Sequence, residues 1–290
     1  MRRFRRLFAV FIVGALFAAC ATAGGGGGGG GGGTSPSPQP DRLVVRIETG
    51  GGLVPFDVLF RNIPEFSLFE DGRAMTQGPQ TAIYPGPALP DLVQRRVTSR
   101  GFQRILDEAR KAGLYGPDRS YLLANVADAT TTRFTLIESG RRHTVSVYAL
   151  DLDPGSSGLG QGDVAARKAL RQFRDHMLDL SGWLPNGDVG PEGPYLADRM
   201  RVYARSFSGP PEAQDLLKQP SRRWPLATPL ATFGSPVPTG AGLRCGVVDG
   251  ADFDMLYTAA KTATILTPWE SKGQNYQLLF RPLLPDEQGC

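Results

Sequence analysis

Histidine is almost missing: the chain of 290 residues has two, His143 and His176. Cysteine stops at three, Cys20, Cys245 and Cys290. A structural metal site needs about four ligands at recognisable spacing, and these five residues do not supply them. A Ser-His-Asp triad would need one of the histidines beside a nucleophile, yet no Gly-x-Ser-x-Gly elbow exists, and Gly155-Ser156-Ser157-Gly158 fails the spacing. Apolar runs are short as well. The longest, Leu7 to Ala19, has thirteen residues, against the roughly 20 that a membrane-spanning helix needs.

Charge of one sign is also lacking. The chain carries 32 Lys and Arg against 28 Asp and Glu. Arg2, Arg3, Arg5 and Arg6 precede the apolar run, which leaves 28 of each sign in the remainder. No basic surface for tracking phosphates is expected, so nucleic acid is excluded as a partner.

What is present at the start has the form of an export signal: a basic segment, then a short apolar core. It closes on Leu16-Phe17-Ala18-Ala19-Cys20. This resembles the lipobox of bacterial lipoproteins, in which cleavage precedes a cysteine that carries a diacylglyceryl group. The resemblance implies a signal peptide over 1–19 and a lipid on Cys20. Phe17 departs from the pattern, which usually has Leu, Val or Ile there. The other reading is an ordinary secretory cut near Ala19-Cys20-Ala21. Gly24 to Gly33 is an unbroken run of ten glycines, and Thr34 to Pro40 is rich in proline and serine. Nothing there can bury apolar surface, so 20–40 is expected to be a disordered tether. The glycines lack a preceding strand and a Lys-Ser/Thr pair, which excludes a phosphate-binding loop.

If Cys20 is lipidated, Cys245 and Cys290 remain as an even pair in an exported protein, and a disulfide is the economical reading. Loop-closure entropy for about 46 residues gives roughly 4 kcal/mol.

The folded part reads as α+β: antiparallel hairpins with packed helices, in an N-terminal domain over 41–184 and a C-terminal unit over 185–290. Leu43, Val45 and Ile47 alternate as one strand face, and Phe56 to Phe60 reads as a second short strand. Asp71-Gly72 marks a two-residue hairpin turn. Ser99 opens a helix with the stripe Phe102, Ile105, Leu106, Ala109 and Ala112. A Ser139-Gly140 turn would set Phe134 opposite Val145 and Leu136 opposite His143. A second stripe, Ala166, Leu170, Phe173, Met177 and Leu180, has core-facing spacing. Positions 102–114 and 253–265 match in apolar spacing, which suggests two related strand-helix-strand units.

Phe66-Ser67-Leu68-Phe69-Glu70-Asp71-Gly72, the helix from Ser99, and Ala127-Asp128-Ala129-Thr130-Thr131-Thr132 leading into a hairpin resemble small exported bacterial domains of unknown function. Trp224-Pro225-Leu226 and Leu266-Thr267-Pro268-Trp269-Glu270 are similar to exported actinobacterial-type proteins. Neither resemblance implies an activity.

Asp151, Asp153 and Asp163 fail the calcium-loop pattern, because position 5 is Gly155 and position 12 is Gly162. No metal, no cofactor and no catalytic residue is assigned. Tyr84, Trp224 and Trp269 sit in proline-containing segments and form the candidate binding surface. The expected protein is a lipid-anchored, extracytoplasmic binding or envelope-associated module, held to the membrane through Cys20, with a protein or cell-envelope partner. A cell-surface hydrolase and an inhibitor or ligand-capture lipoprotein are the alternatives.

Overall fold

The computed structural model describes residues 39–124, 126–153, 159–207, 217–238 and 242–290. Cys20, the expected signal, the tether up to residue 38 and Gly155 to Gly158 lie outside them; Gln39 and Pro40, expected in the tether, lie inside, and Gln39 N–H donates to Glu70 Oε2 at 3.2 Å.

Strand β1 (Leu43–Gly50) is the axis of the first sheet. It pairs antiparallel with β2 (Phe66–Phe69) on one side and β6 (Thr131–Glu138) on the other. β3 (Arg73–Gln77), β4 (Leu92–Arg96) and β8 (Gly193–Pro194) extend the sheet one way. β7 (Arg141–Tyr148) and β5 (Arg119–Tyr121) extend it the other way, β5 lying parallel to β7. The order is β5-β7-β6-β1-β2-β3-β4-β8. Ser139-Gly140 sets the expected register, Phe134 opposite Val145 and Leu136 opposite His143. The Asp71-Gly72 turn is a three-residue loop with Glu70, and Gly72 takes φ +80°, which glycine adopts without strain.

One face of this sheet carries α2 (Ser99–Lys111) and α3 (Gln161–Leu178). Ile105, Ala109, Leu170, Phe173 and Met177 meet Val45, Ile47, Phe66, Leu68, Phe134 and Leu136 in the main core. Thr98 caps α2 by accepting from the Gly101 N–H. At its other end Gly113 N–H and Leu114 N–H turn back onto Arg110 O and Ala109 O, a Schellman closure. On α3 the buried stripe takes in Arg167, while Ala166 is half-buried.

The second sheet has the order β10-β13-β14-β9-β12-β11. Its strands are β9 (Arg199–Ser206), β10 (Arg222–Arg223), β11 (Ser235–Pro236), β12 (Arg244–Asp249), β13 (Pro268–Ser271) and β14 (Gln274–Pro282). α4 (Gly250–Ala260) covers one face through Phe253, Leu256 and Ala260. The fold is therefore α+β, with mostly antiparallel sheets. The two strand-helix pairs sit differently in their sheets. β4 and β5 are separated by β3, β2, β1, β6 and β7, whereas β12 and β13 are separated by β9 and β14.

Pro38–Cys290 is one compact unit. The boundary expected at 184/185 does not divide the sheets cleanly, because β8 (Gly193–Pro194) pairs with β4 in the first sheet, and segments of the two sheets share partners. Leu284 packs among Leu43, Ile63, Phe69 and Met75. Phe60 packs edge-on against Tyr203 of β9, with ring centroids 4.8 Å apart. Cys245 of β12 is bonded to Cys290, with Cα atoms 6.0 Å apart.

Candidate binding cleft

Phe56 to Phe60 alternates like a strand but folds as α1 (Phe56–Arg61), a short helix. Pro55 precedes it and supplies a fixed φ. Asp57 in the first turn and Arg61 in the last suit the macrodipole and lie four residues apart, acid first. Those three residues are the signal that the alternation masked. Phe60 anchors the helix on the second sheet, and Asp57 accepts from Arg205 and from Gln277, each at 3.1 Å. α1 thus stands where the two sheets meet.

Two adjoining cavities open beside it and share Asn62, Ile63 and Gln77. The larger, about 660 Å³, is walled mostly by polar groups, among them Thr49, Glu65, Thr76 and Glu192. The smaller, about 280 Å³, is lined by Val58, Pro90, Ile265 and Leu279 together with Asp57 and Arg61. Burial pushes the Arg61 guanidinium down from its ordinary value and Asp57 opposes that shift. Arg61 Nη2 donates to Pro87 O and Ala88 O, which ties α1 to the loop before β4.

Apolar side chains crowd this end of the molecule without being covered. Leu53 is 85% exposed, Ile83 75% and Tyr84 58%, and Val58 and Leu59 on α1 are about half exposed. Leu53 follows the end of β1, and Ile83 and Tyr84 lie in the loop that leaves β3. The β2–β3 turn pairs beside Leu43, at the opposite end of β1. The chain therefore enters the sheet at one end and presents the cleft at the other. Eight residues of β1 separate the two, about 26 Å.

Of the expected binding aromatics, only Tyr84 is at the surface. Trp224 and Trp269 are corrected to core residues, 5% and 1% exposed. Their rings meet edge-on at 6.5 Å, Trp269 packs on Phe280, and Trp224 Nε1 donates to Thr228 O. The prolines beside them bound strands of the second sheet, not free loops.

The histidines are held by neighbours. His143 is buried with Nδ1 2.9 Å from Gly116 O. His176 stacks on Trp183 at 4.9 Å and its Nδ1 lies 3.1 Å from Glu108. The cavity of about 370 Å³ beside this pair is lined by Lys111, Ala112, Ala169 and Gln172 as well, with no hydroxyl or thiol nucleophile among those residues. Asp151 is spent on Arg174, whose hydrogen bond holds that carboxyl below its usual range.

Comparison with family models, with curated proteins and with solved structures finds no match for this chain. The chemistry of the cleft itself therefore carries the functional reading.

Proposed function

We propose that this protein is a lipid-anchored, extracytoplasmic binding module that docks a protein partner over the cleft beside α1. One observation carries the reading: Leu53, Val58, Leu59, Ile83 and Tyr84 are exposed on α1 and on the segments that leave β1 and β3, and Val58 lines the smaller cavity, far along the sheet from the point of chain entry. Clustered exposed apolar groups of this kind mark interaction surfaces. The Cys245–Cys290 bridge supports an oxidising, exported setting. Anchorage rests on the lipobox-like segment ending at Cys20.

Two experiments test it. A photo-crosslinking amino acid replaces Tyr84 or Leu59 in the full chain in its host, with Asp107 on α2 as an exposed control position. Discrete adducts at 84 and 59 and none at 107 are expected; no adduct, or equal adducts at all three, would refute docking at this face. For anchorage, Cys20→Ala should release the protein from the membrane fraction or leave it uncleaved. Mature Cys20→Ala protein still on the membrane would remove the lipid.

A further inference from the structure

The two signs of charge balance over the chain but are layered at one end of the first sheet. Gln39 to Arg42, the Glu70-Asp71-Gly72 turn, the Ser139-Gly140 turn and the start of α2 all lie at that end. Arg73 Nη2 donates to Pro40 O at 2.7 Å, and the Arg42 guanidinium stands 4.0 Å from where a Cβ on Gly140 would sit. Here carboxylates face in and guanidiniums face out. Asp188 is fully buried and holds two arginines, Arg100 at 2.6 Å and Arg104 at 3.4 Å, whose side chains are 68% and 51% exposed. Asp71 is mostly buried and also holds two, Arg73 at 2.7 Å and the exposed Arg96 at 3.7 Å. Arg42 is matched by the less exposed Glu70. Arg141 and Arg142 follow the hairpin turn. Both are exposed, and their side chains make no hydrogen bond or ion pair among the described residues.

Exposed acids are fewer at this end. Asp41 pairs with Arg73, Asp118 accepts from the Thr144 N–H, and Glu138 stands opposite Arg141. Along α2, Arg110 with Asp107 and Lys111 with Glu108 cancel. The outer layer is therefore mainly guanidinium, from Arg42, Arg96, Arg100, Arg104, Arg141 and Arg142. Guanidinium matches phosphate oxygens bidentately. Each arginine held at an anionic bilayer surface strengthens adhesion about fivefold. The chain also enters at this end. Pro38 is eighteen residues on from Cys20, and a glycine-rich chain of that length spans roughly 20–25 Å. A lipid on Cys20 would keep this end within reach of the head groups, with the cleft about 26 Å beyond it.

We infer that the entry end of the first sheet rests on an anionic phospholipid surface through these six arginines, which turns the cleft away from the membrane. This rests on the anchorage reading and goes beyond it: the lipid retains the protein, whereas the arginines orient it.

For the test, the full chain is attached to vesicles of phosphatidylcholine, or of phosphatidylcholine mixed with phosphatidylglycerol. Modification of each arginine by phenylglyoxal is followed by mass spectrometry. Arg100, Arg104, Arg141 and Arg142 should react at least about fivefold more slowly on the anionic vesicles than on the neutral ones. High salt should restore their rates. Arg133, exposed on β6 opposite Glu48 and toward the cleft end, should react alike on both. Arg141→Gln combined with Arg142→Gln should remove the protection of Arg100 and Arg104. Neither side chain has a partner to lose, so the double variant should keep the parent's thermal midpoint. Equal rates on the two kinds of vesicle, equal protection of Arg133, or protection that survives the double substitution would overturn the inference. Flotation with the neutral vesicles reads attachment alone, so loss of the anchor and loss of the basic end are told apart.

Discussion

Arg281 and Glu287 grip each other through two parallel contacts of 2.6 Å, Nη1 to Oε2 and Nη2 to Oε1, with both side chains nearly buried. Glu287 also accepts from the Leu284 N–H at 2.9 Å, and Arg281 Nε reaches Asn62 O at 2.7 Å. Between them they fasten the C-terminal segment to the residue that closes α1.

This pair predicts an acid limit. Burial pushes the Glu287 carboxyl up, but Arg281, the Leu284 N–H and Arg46 outweigh it and hold it below its ordinary value. Its contribution is present above the unfolded carboxylate value of about 4.3 and is lost as pH falls through the lower folded value. Glu287→Gln should cost about 3 kcal/mol at pH 7, because it strands a buried guanidinium. It should also flatten the stability curve below about pH 4. Urea titrations across pH measure both; an unchanged acid slope would refute the linkage.

An alkaline limit follows from Tyr195. Its hydroxyl donates to Leu283 O at 2.8 Å, and burial raises the phenol to about 12. The raised value means that stability is intact below the unfolded value of about 10 and falls as pH climbs through the folded one. Tyr195→Phe should keep its stability between about pH 10 and 12 better than the parent. Thermal melts in that window decide it.

The aromatic correction predicts a contrast. Trp269→Ala should destabilise by about 3–5 kcal/mol, since it empties a filled core position. Tyr84→Ala should stay within about 0.5 kcal/mol. Similar losses for the two would contradict their placement.

Arg167 is buried with Nε and Nη1 unpartnered, and Nη2 donates to Ala149 O at 2.6 Å. Burial lowers its guanidinium from the ordinary value, and Arg171 adds to the shift. Replacing such a charge by an apolar chain of similar length is often neutral or better. Arg167→Met should therefore keep or raise the thermal midpoint, whereas Arg167→Ala should lower it through lost packing. A midpoint for Arg167→Met well below the parent's would show that the Ala149 contact outweighs desolvation.

Local patterns made much of the fold legible. The Ser139-Gly140 turn fixed a register, the α2 and α3 stripes named their core faces, and the cysteine pair was readable from exclusion. Legibility ended where distant segments decide. Phe56 to Phe60 has strand alternation, yet Phe60 finds Tyr203 only if the segment coils. Arg167 entered the α3 stripe beside Ala166 because its stem can pack like an apolar chain. Trp224 looked free because the strand just before it, β10, has only two residues and depends wholly on β13. The cleft had no motif at all, since Asn62, Gln77, Glu192 and Ile265 meet only after the sheets do.

Both sheets end in stubs: β5 has three residues, and β8, β10 and β11 have two each. Such margins offer too few free backbone groups to template another strand. Neighbouring copies crowded on a surface would have no ladder along which to fuse. A partner docking on either sheet would then be read by side chains, and such specificity could drift one substitution at a time without disturbing the framework behind it.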